Sequence, residues 1–364
     1  MSKQHSIEQA EKEVLESIKF SRIIIPVLIG LGVVAYLLWK QFDPEEFAKI
    51  SWTSHTFFWI LASLFFLTIR HLAYANRLRI LSDKQFSWKK CIELIFIWEF
   101  STSISPTSVG GSAVALFVLS QEKLSAAKTA TIVIYSVVLD TFFFVTFLPV
   151  FIFFLGNDVI HPSLVGETEL NAIGISFWTF YFIMLAYGLL FFYAIFISPK
   201  QIKRLLSAIT SFGFLKRWHE SAVELGSNMI LTSAEMKEQH YGYHVTAFLS
   251  TATAWSCRFI LLSCLIIAFV DVSLDLETQA LLYTRLKAMF VLIIFSPTPG
   301  GAGFVEYVFG NFLTDFVPIG IAPIISFIWR LFAYYSYLFV GAIIVPNWFR
   351  GVIARRNAVK QKEN

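Results

Sequence analysis

The sequence predicts an all-α polytopic membrane protein, and three observations carry that prediction. Apolar types make up 56% of the 364 residues and charged types only 15%, against roughly 25% charged in a soluble globule. Mean hydropathy is +0.66. The charges are segregated, leaving long stretches that hold one charge or none. Such a chain has no polar skin for a water-facing globule, which sets aside disorder, a disulfide scaffold and a secreted enzyme together. Cys91, Cys257 and Cys264 sit in or beside apolar stretches without metal-ligand spacing and read as buried free thiols.

A helix needs about 20 apolar residues to cross the hydrocarbon core. Residues 1–22 are polar, with Ile7, Ala10, Val14 and Ile18 at helical spacing, and read as a cytoplasmic amphipathic segment. A single membrane domain, 23–346, then begins with span 23–39, which no small-residue cleavage site follows, so it is expected to stay as an anchor. Span 56–79 carries Arg70, His71 and Arg77. Stretch 91–120 is apolar but broken by Pro106, Gly110 and Gly111. Span 129–155 has a single charge, Asp140, and span 172–196 has none. In the loop 199–241, Ile202, Leu205, Leu206, Ile209, Phe212 and Leu215 recur at helical spacing between basic residues. That is the pattern of a helix lying on an anionic leaflet. Span 245–270 carries only Arg258; stretch 280–312 is broken by Pro297, Pro299, Gly300 and Gly301; span 317–346 carries only Arg330. Residues 347–364 form a basic cytoplasmic tail.

Basic residues set the orientation. They cluster before the first span, after the second, in the 199–241 loop and in the tail, whereas segments 156–171 and 271–280 hold Asp and Glu but no Lys or Arg. Six crossings with both termini in the cytoplasm satisfy this distribution, provided each broken stretch is a re-entrant helical hairpin returning to its own side. Lys40 and Lys49 after the first span, and Arg285 and Lys287 within the second broken stretch, fit less well.

Ser105-Pro106-Thr107-Ser108-Val109-Gly110-Gly111 recurs as Ser296-Pro297-Thr298-Pro299-Gly300-Gly301, one residue shorter. Each copy lies between two long spans, so repeat one covers about 56–155 and repeat two about 245–346, in opposite topology. Asp140 follows Gly111 by 29 residues, and Arg330 follows Gly301 by 29. Inverted repeats whose broken helices meet near the midplane are a recurrent transporter design; the alternative is that each break is only a kink. Proline cannot continue a helix and paired glycines permit a reversal, so half-helices are expected from Ser112 and from Gly303. Their free N–H groups would then lie deep in the membrane, where such ends bind anions.

Ser105, Thr107, Gly110, Gly111, Ser296, Thr298, Gly300 and Gly301 are therefore candidate substrate-binding positions for a phosphate or carboxylate; the hydroxyls alternatively satisfy the broken backbone. Charges inside a membrane are costly and default to functional hypotheses. Arg258 is placed to meet a phosphate or Glu306, and Glu306 either caps a helix dipole or couples a proton. Asp140 and Arg330 are expected to pair across the repeats, as a lock or as a gate. Arg70 and Arg77 are read as snorkelling to lipid headgroups. Glu99 has no counterpart in the second repeat, where Phe290 stands. With no catalytic signature and no soluble stretch beyond about 45 residues, neither enzyme activity nor a cofactor or metal is expected.

The second tip, running from Ser296 to Glu306, is followed by Trp329-Arg330-Leu331 and Tyr334-Tyr335. Together they resemble the signature of the lysylphosphatidylglycerol synthase transmembrane-region family, and the first hairpin and Val138-Leu139-Asp140 fit it too. The resemblance covers about 23–346; many members carry a charged residue where this chain has Ser112. It implies a domain similar to the flippase half of the multiple peptide resistance factor, which moves aminoacylated phosphatidylglycerol between leaflets, and a bacterial cytoplasmic (inner) membrane. The synthase activity there belongs to a soluble domain, so the expectation is a stand-alone membrane domain that translocates lipid without aminoacyl transfer. Relatives act with varied lipids, including hopanoids and isoprenoid-linked sugars, so the lipid does not carry over. Expected partners are the bilayer and a membrane phospholipid or isoprenoid-type lipid, with a lipid-synthesising enzyme and a second copy of the chain as protein partners; nucleic acid is not expected. The competing readings are a non-transporting scaffold that binds lipid or a lipid-modifying enzyme, and an intramembrane lipid transferase.

Overall fold

A computed structural model describes residues 44–48, 50, 52–104, 108–160, 167–296, 301 and 303–363. Regular structure among them is helical throughout. In chain order the helices are α1 (Pro44–Ala48), α2 (Ser54–Leu81), α3 (Trp88–Ile104), α4 (Ser108–Ser120), α5 (Ala126–Leu155), α6 (Glu167–Phe192), α7 (Pro199–Thr210), α8 (His219–Lys237), α9 (Tyr241–Phe269), α10 (Leu276–Ile294), α11 (Phe304–Phe312), α12 (Ala322–Arg330) and α13 (Ser336–Glu363). Five stretches among the described residues are long and apolar enough to cross a membrane: Ser54–Leu81, Ala126–Val159, Ala172–Ile197, Tyr241–Phe269 and Ala322–Ala354. They correspond to the second to sixth expected spans. The expected span 23–39 and the N-terminal amphipathic segment lie outside the described residues.

The surface is the reverse of a soluble protein's. Phe57, Phe58, Leu61 and Phe65 stand exposed along the first half of α2, and Phe153 and Phe154 are 83% and 75% exposed at the end of α5. An apolar girdle of that extent needs lipid around it. The later half of α2 turns inward and buries Arg70, His71, Tyr74 and Arg77. Helix α9 is the central strut: 72% of its most apolar window is buried, against 28% in α2.

Local chemistry sets the helix ends. The Ser125 hydroxyl accepts from the Lys128 amide to start α5, and Gly156, at φ 72°, ends it. Pro149 inside α5 has no N–H, which frees the Val145 carbonyl; the Tyr181 hydroxyl donates to it at 3.1 Å and ties α6 to α5. Asp275 accepts from the Thr278 amide at 2.9 Å, so α10 starts at Leu276, earlier than the expected residue 280.

Each broken stretch is a long limb followed by a short one, with the two limbs in contact. The long limbs, α3 and α10, have 17 and 19 residues, and the short ones, α4 and α11, have 13 and 9. At 1.5 Å per residue α10 is about 28 Å long, more than the short half-helix expected. The order long helix, limb, limb, long helix occurs twice, as α2–α5 and as α9–α13.

Two apolar clusters fill the bundle. One gathers the later half of α2 with α3, α4, the start of α5, α8 and the start of α9. The other gathers the later halves of α5 and α9 with α10, α11 and α12. Asp140 lies between Leu139 of the first and Phe143 of the second; Arg258 lies between Ala254 and Phe259 in the same way, and Arg70 between Leu67 and Ala73. A polar layer thus occupies the seam.

Candidate functional site

Helical spacing assembles this layer. On α2, Arg70, Tyr74 and Arg77 follow an i, i+4, i+7 pattern and share one face; on α9, Thr251, Trp255 and Arg258 do the same. The two helices pack extensively on each other. Asp140 comes in from α5 and accepts from Arg77 Nη1 at 2.5 Å and from the Trp255 indole N–H at 2.8 Å. Arg77 Nη1 also donates to Thr251 at 3.3 Å, and its guanidinium lies 4.8 Å from the Tyr74 ring. One carboxylate therefore joins three helices.

Glu99 comes in from α3. It accepts from Arg70 Nη2 at 2.8 Å, and Arg258 lies 3.8 Å from the same oxygen. Arg70 is wholly buried between the Tyr74 and Tyr337 rings, each 5.2 Å away. Arg70 Nη1 donates to the Tyr337 hydroxyl at 3.0 Å, and the same hydroxyl meets His71 Nδ1 at 3.2 Å. The Ile92 carbonyl, 3.3 Å from His71 Nε2, can only accept, so Nε2 carries a hydrogen.

Arg258 differs from the other arginines of the layer. It stacks 4.8 Å from Trp255 and 5.5 Å from Phe290, yet it makes no hydrogen bond among the described residues. Its side chain is 20% exposed and that of Glu99 beside it 22%; Asp140, which meets the same Trp255, is 29% exposed. With three arginines against two carboxylates the layer carries one net positive charge. A partly open guanidinium with unused donors can grip a phosphate or carboxylate.

Arg330 and Glu306 form a second pair, 3.2 Å apart, both 5% exposed in their side chains. Glu306 accepts from the Gly303 amide at 2.8 Å, closing the first turn of α11 as a cap. Arg330 lies 4.2 Å from the Tyr334 ring, in a π-helical turn, Leu331–Tyr335. The Tyr334 hydroxyl donates to the Ser103 carbonyl at 3.1 Å. Ser103 precedes the first break and Glu306 follows the second, so this turn brings the two breaks together.

Several expectations need correction. Asp140 pairs with Arg77 and not with Arg330, because Arg77 shares the face of α2 packed on α5 and α9 while Arg330 is taken up by Glu306. Arg70 and Arg77 do not reach lipid headgroups: they are 0% and 7% exposed and turn inward, since carboxylates across the bundle offer more than snorkelling does. The carboxylate beside Arg258 is Glu99, not Glu306. Helix α4 starts at Ser108, so Gly110 and Gly111 are helical residues and not a reversal; the preceding helix ends at Ile104, ahead of Pro106 in the sequence. Gly301 does serve as a turn, at φ 72°, where a Cβ would collide with Val305 and lie 3.8 Å from Ser296 Oγ. Ser105, Thr107, Thr298 and Gly300 lie outside the described residues. Arg285 and Lys287, the misfits of the charge pattern, lie inside α10. They are 1% and 0% exposed.

Sequence reasoning missed Glu99 as a partner and Tyr337 altogether. The signal that was available is the rule that intramembrane charges need opposite charges, applied to Arg70.

The sequence model of the lysylphosphatidylglycerol synthase transmembrane region matches residues 23–341. The chain belongs to that family. The match runs through both breaks and takes in every residue of the polar layer, from Arg70 to Tyr337. A membrane protein of Archaeoglobus fulgidus, named only as a UPF0104 membrane protein, is 25% identical over 333 residues, 88% of this chain and 95% of the relative. This family member is accordingly a multi-pass membrane protein whose bundle contacts lipid.

Proposed function

We propose that this protein is a lipid translocase rather than an enzyme, moving an anionic or phosphate-bearing headgroup between the leaflets of a cytoplasmic (inner) membrane. The headgroup would enter the polar layer between the two repeats while its tails stay in lipid, and rocking of two inverted re-entrant hairpins would expose it to either side. The observation that carries this reading is Arg258, a guanidinium near the middle of a buried span with no hydrogen bond among the described residues and with access to space. Membership of a lipid-related membrane family supports it. Neither competing reading, scaffold or transferase, has a comparable feature behind it.

The test is leaflet exchange in proteoliposomes with labelled anionic and zwitterionic lipids. Wild type should exchange anionic lipid faster, and Arg258→Gln and Gly301→Trp should each lose that exchange while remaining monodisperse. Folded wild type that exchanges no lipid would make the scaffold the better account.

A further inference from the structure

Glu99 is held by one arginine and only approached by another. Its Oε2 takes the Arg70 hydrogen bond at 2.8 Å and lies 3.8 Å from Arg258, too far for a second one. Its Oε1 makes no hydrogen bond among the described residues, and the side chain is 22% exposed. Arg70, fixed by Tyr337 and enclosed by two rings, cannot follow an anion into the open space. The carboxylate therefore stands next to Arg258, whose donors make no hydrogen bond among the described residues, with both side chains partly exposed.

We propose that Glu99 is an internal counter-anion that an incoming phosphodiester displaces from Arg258, taking up one proton as it yields. This rests on the Arg258 reading above. A phosphate on Arg258 would stand a few ångströms from the Glu99 carboxylate, and like charges that close do not both stay ionised in a poorly solvated site. One proton on Oε1, given up by the buffer acid in solution, resolves the conflict. The groups facing Glu99 are Arg70, His71 and Tyr74 from α2, Arg258 from α9 and Tyr337 from α13; α4 contains no ionisable residue. Among these His71, with Nδ1 against the Tyr337 hydroxyl and Nε2 against the Ile92 carbonyl, is the competing proton acceptor, and His71→Gln separates it from Glu99.

The experiment is calorimetric binding of dihexanoylphosphatidylglycerol, a monoanionic phosphodiester, to the purified full chain in detergent. Runs from pH 5.5 to 8.5, in buffers of different ionisation enthalpy, count protons. Wild type should take up about one proton per lipid at the alkaline end, with affinity falling by up to roughly tenfold per pH unit there. Glu99→Gln should bind more tightly, without proton uptake or pH dependence, whereas Glu99→Asp and His71→Gln should keep the uptake. Wild-type binding without proton uptake overturns the proposal, as does Glu99→Gln that still takes one up. Wild-type affinity in Arg258→Gln would instead overturn the site itself. Inorganic phosphate forms the second arm: binding equal to the lipid's would reassign the ligand from a headgroup to free phosphate.

Discussion

Arg258 and Lys287 stand on neighbouring helices, and both are cations set among aromatic rings, but they are used oppositely. Lys287 on α10 is 0% exposed; its Nζ lies 3.7 Å from the Phe143 ring and 4.8 Å from that of Phe147, and it donates to the Phe143 carbonyl at 3.1 Å. No carboxylate pairs with it among the described residues. Arg285, two residues earlier, is likewise closed off by Asp315 at 2.9 Å and by the Asp158 carbonyl. These side chains bolt α10 to its neighbours. Arg258 has the rings without the closure: among the described residues it makes no hydrogen bond, and the carboxylate that approaches it, Glu99, stays 3.8 Å away. The difference teaches that aromatic packing is not what makes a membrane cation a ligand site. What matters is whether its remaining donors meet protein or open space.

The largest effect expected from breaking this arrangement is at Asp140. Removing it strands Arg77, which is 7% exposed, so Asp140→Ala should cost about 3 kcal/mol of stability, read from thermal unfolding in detergent. A double-mutant cycle sharpens the point: Asp140 should couple with Arg77 by more than about 1 kcal/mol and be additive with Arg330. Next comes Arg258→Gln, which should leave unfolding nearly unchanged while leaflet exchange falls roughly tenfold or more, about 1.4 kcal/mol in barrier. Equal losses of stability at Arg258 and Asp140 would dissolve the contrast. Tyr334→Phe gives up the hydrogen bond that spans the two breaks and should cost about 1 kcal/mol. Lys287→Met, which replaces a sealed cation with an apolar chain of similar length, should be neutral to slightly stabilising and leave exchange intact; a loss of exchange there would make Lys287 more than a bolt.

Acid should leave the start of α10 undisturbed. The Ser273 hydroxyl, followed by the Thr278 amide, holds Asp275 down from 3.8 to about 2. Its folded value is lowered, so its contribution is fully present above pH 3.8 and is lost only as pH falls through about 2. Hydrogen exchange at the Thr278 amide should therefore show no extra opening between pH 7 and 5. Any pH dependence of transport in that range must arise elsewhere.

The sequence by itself determined the solvent and the plan. A chain with 56% apolar and 15% charged residues can only be stable in lipid. The places of the two breaks were legible too, since α3 ends at Ile104 and α10 at Ile294, just ahead of Pro106 and Pro297; a proline alone does not compel a break, because α5 continues through Pro149. The i, i+4, i+7 faces of α2 and α9 were likewise legible from spacing alone, as was the role of Glu306 as a cap, since both are matters of one helix. Only the tertiary structure decided which charge meets which. Arg70 and Glu99 are 29 residues apart in sequence, Arg77 and Asp140 63, and Arg70 and Tyr337 267. No periodicity encodes such separations. Matched positions in two repeats suggested Asp140 with Arg330, but a charge in a membrane takes the nearest partner that packing presents, since solvating it with water is no longer an option. Helix packing also left Arg258 one carboxylate short of a tight pair, and that geometric remainder is what makes it available to a ligand.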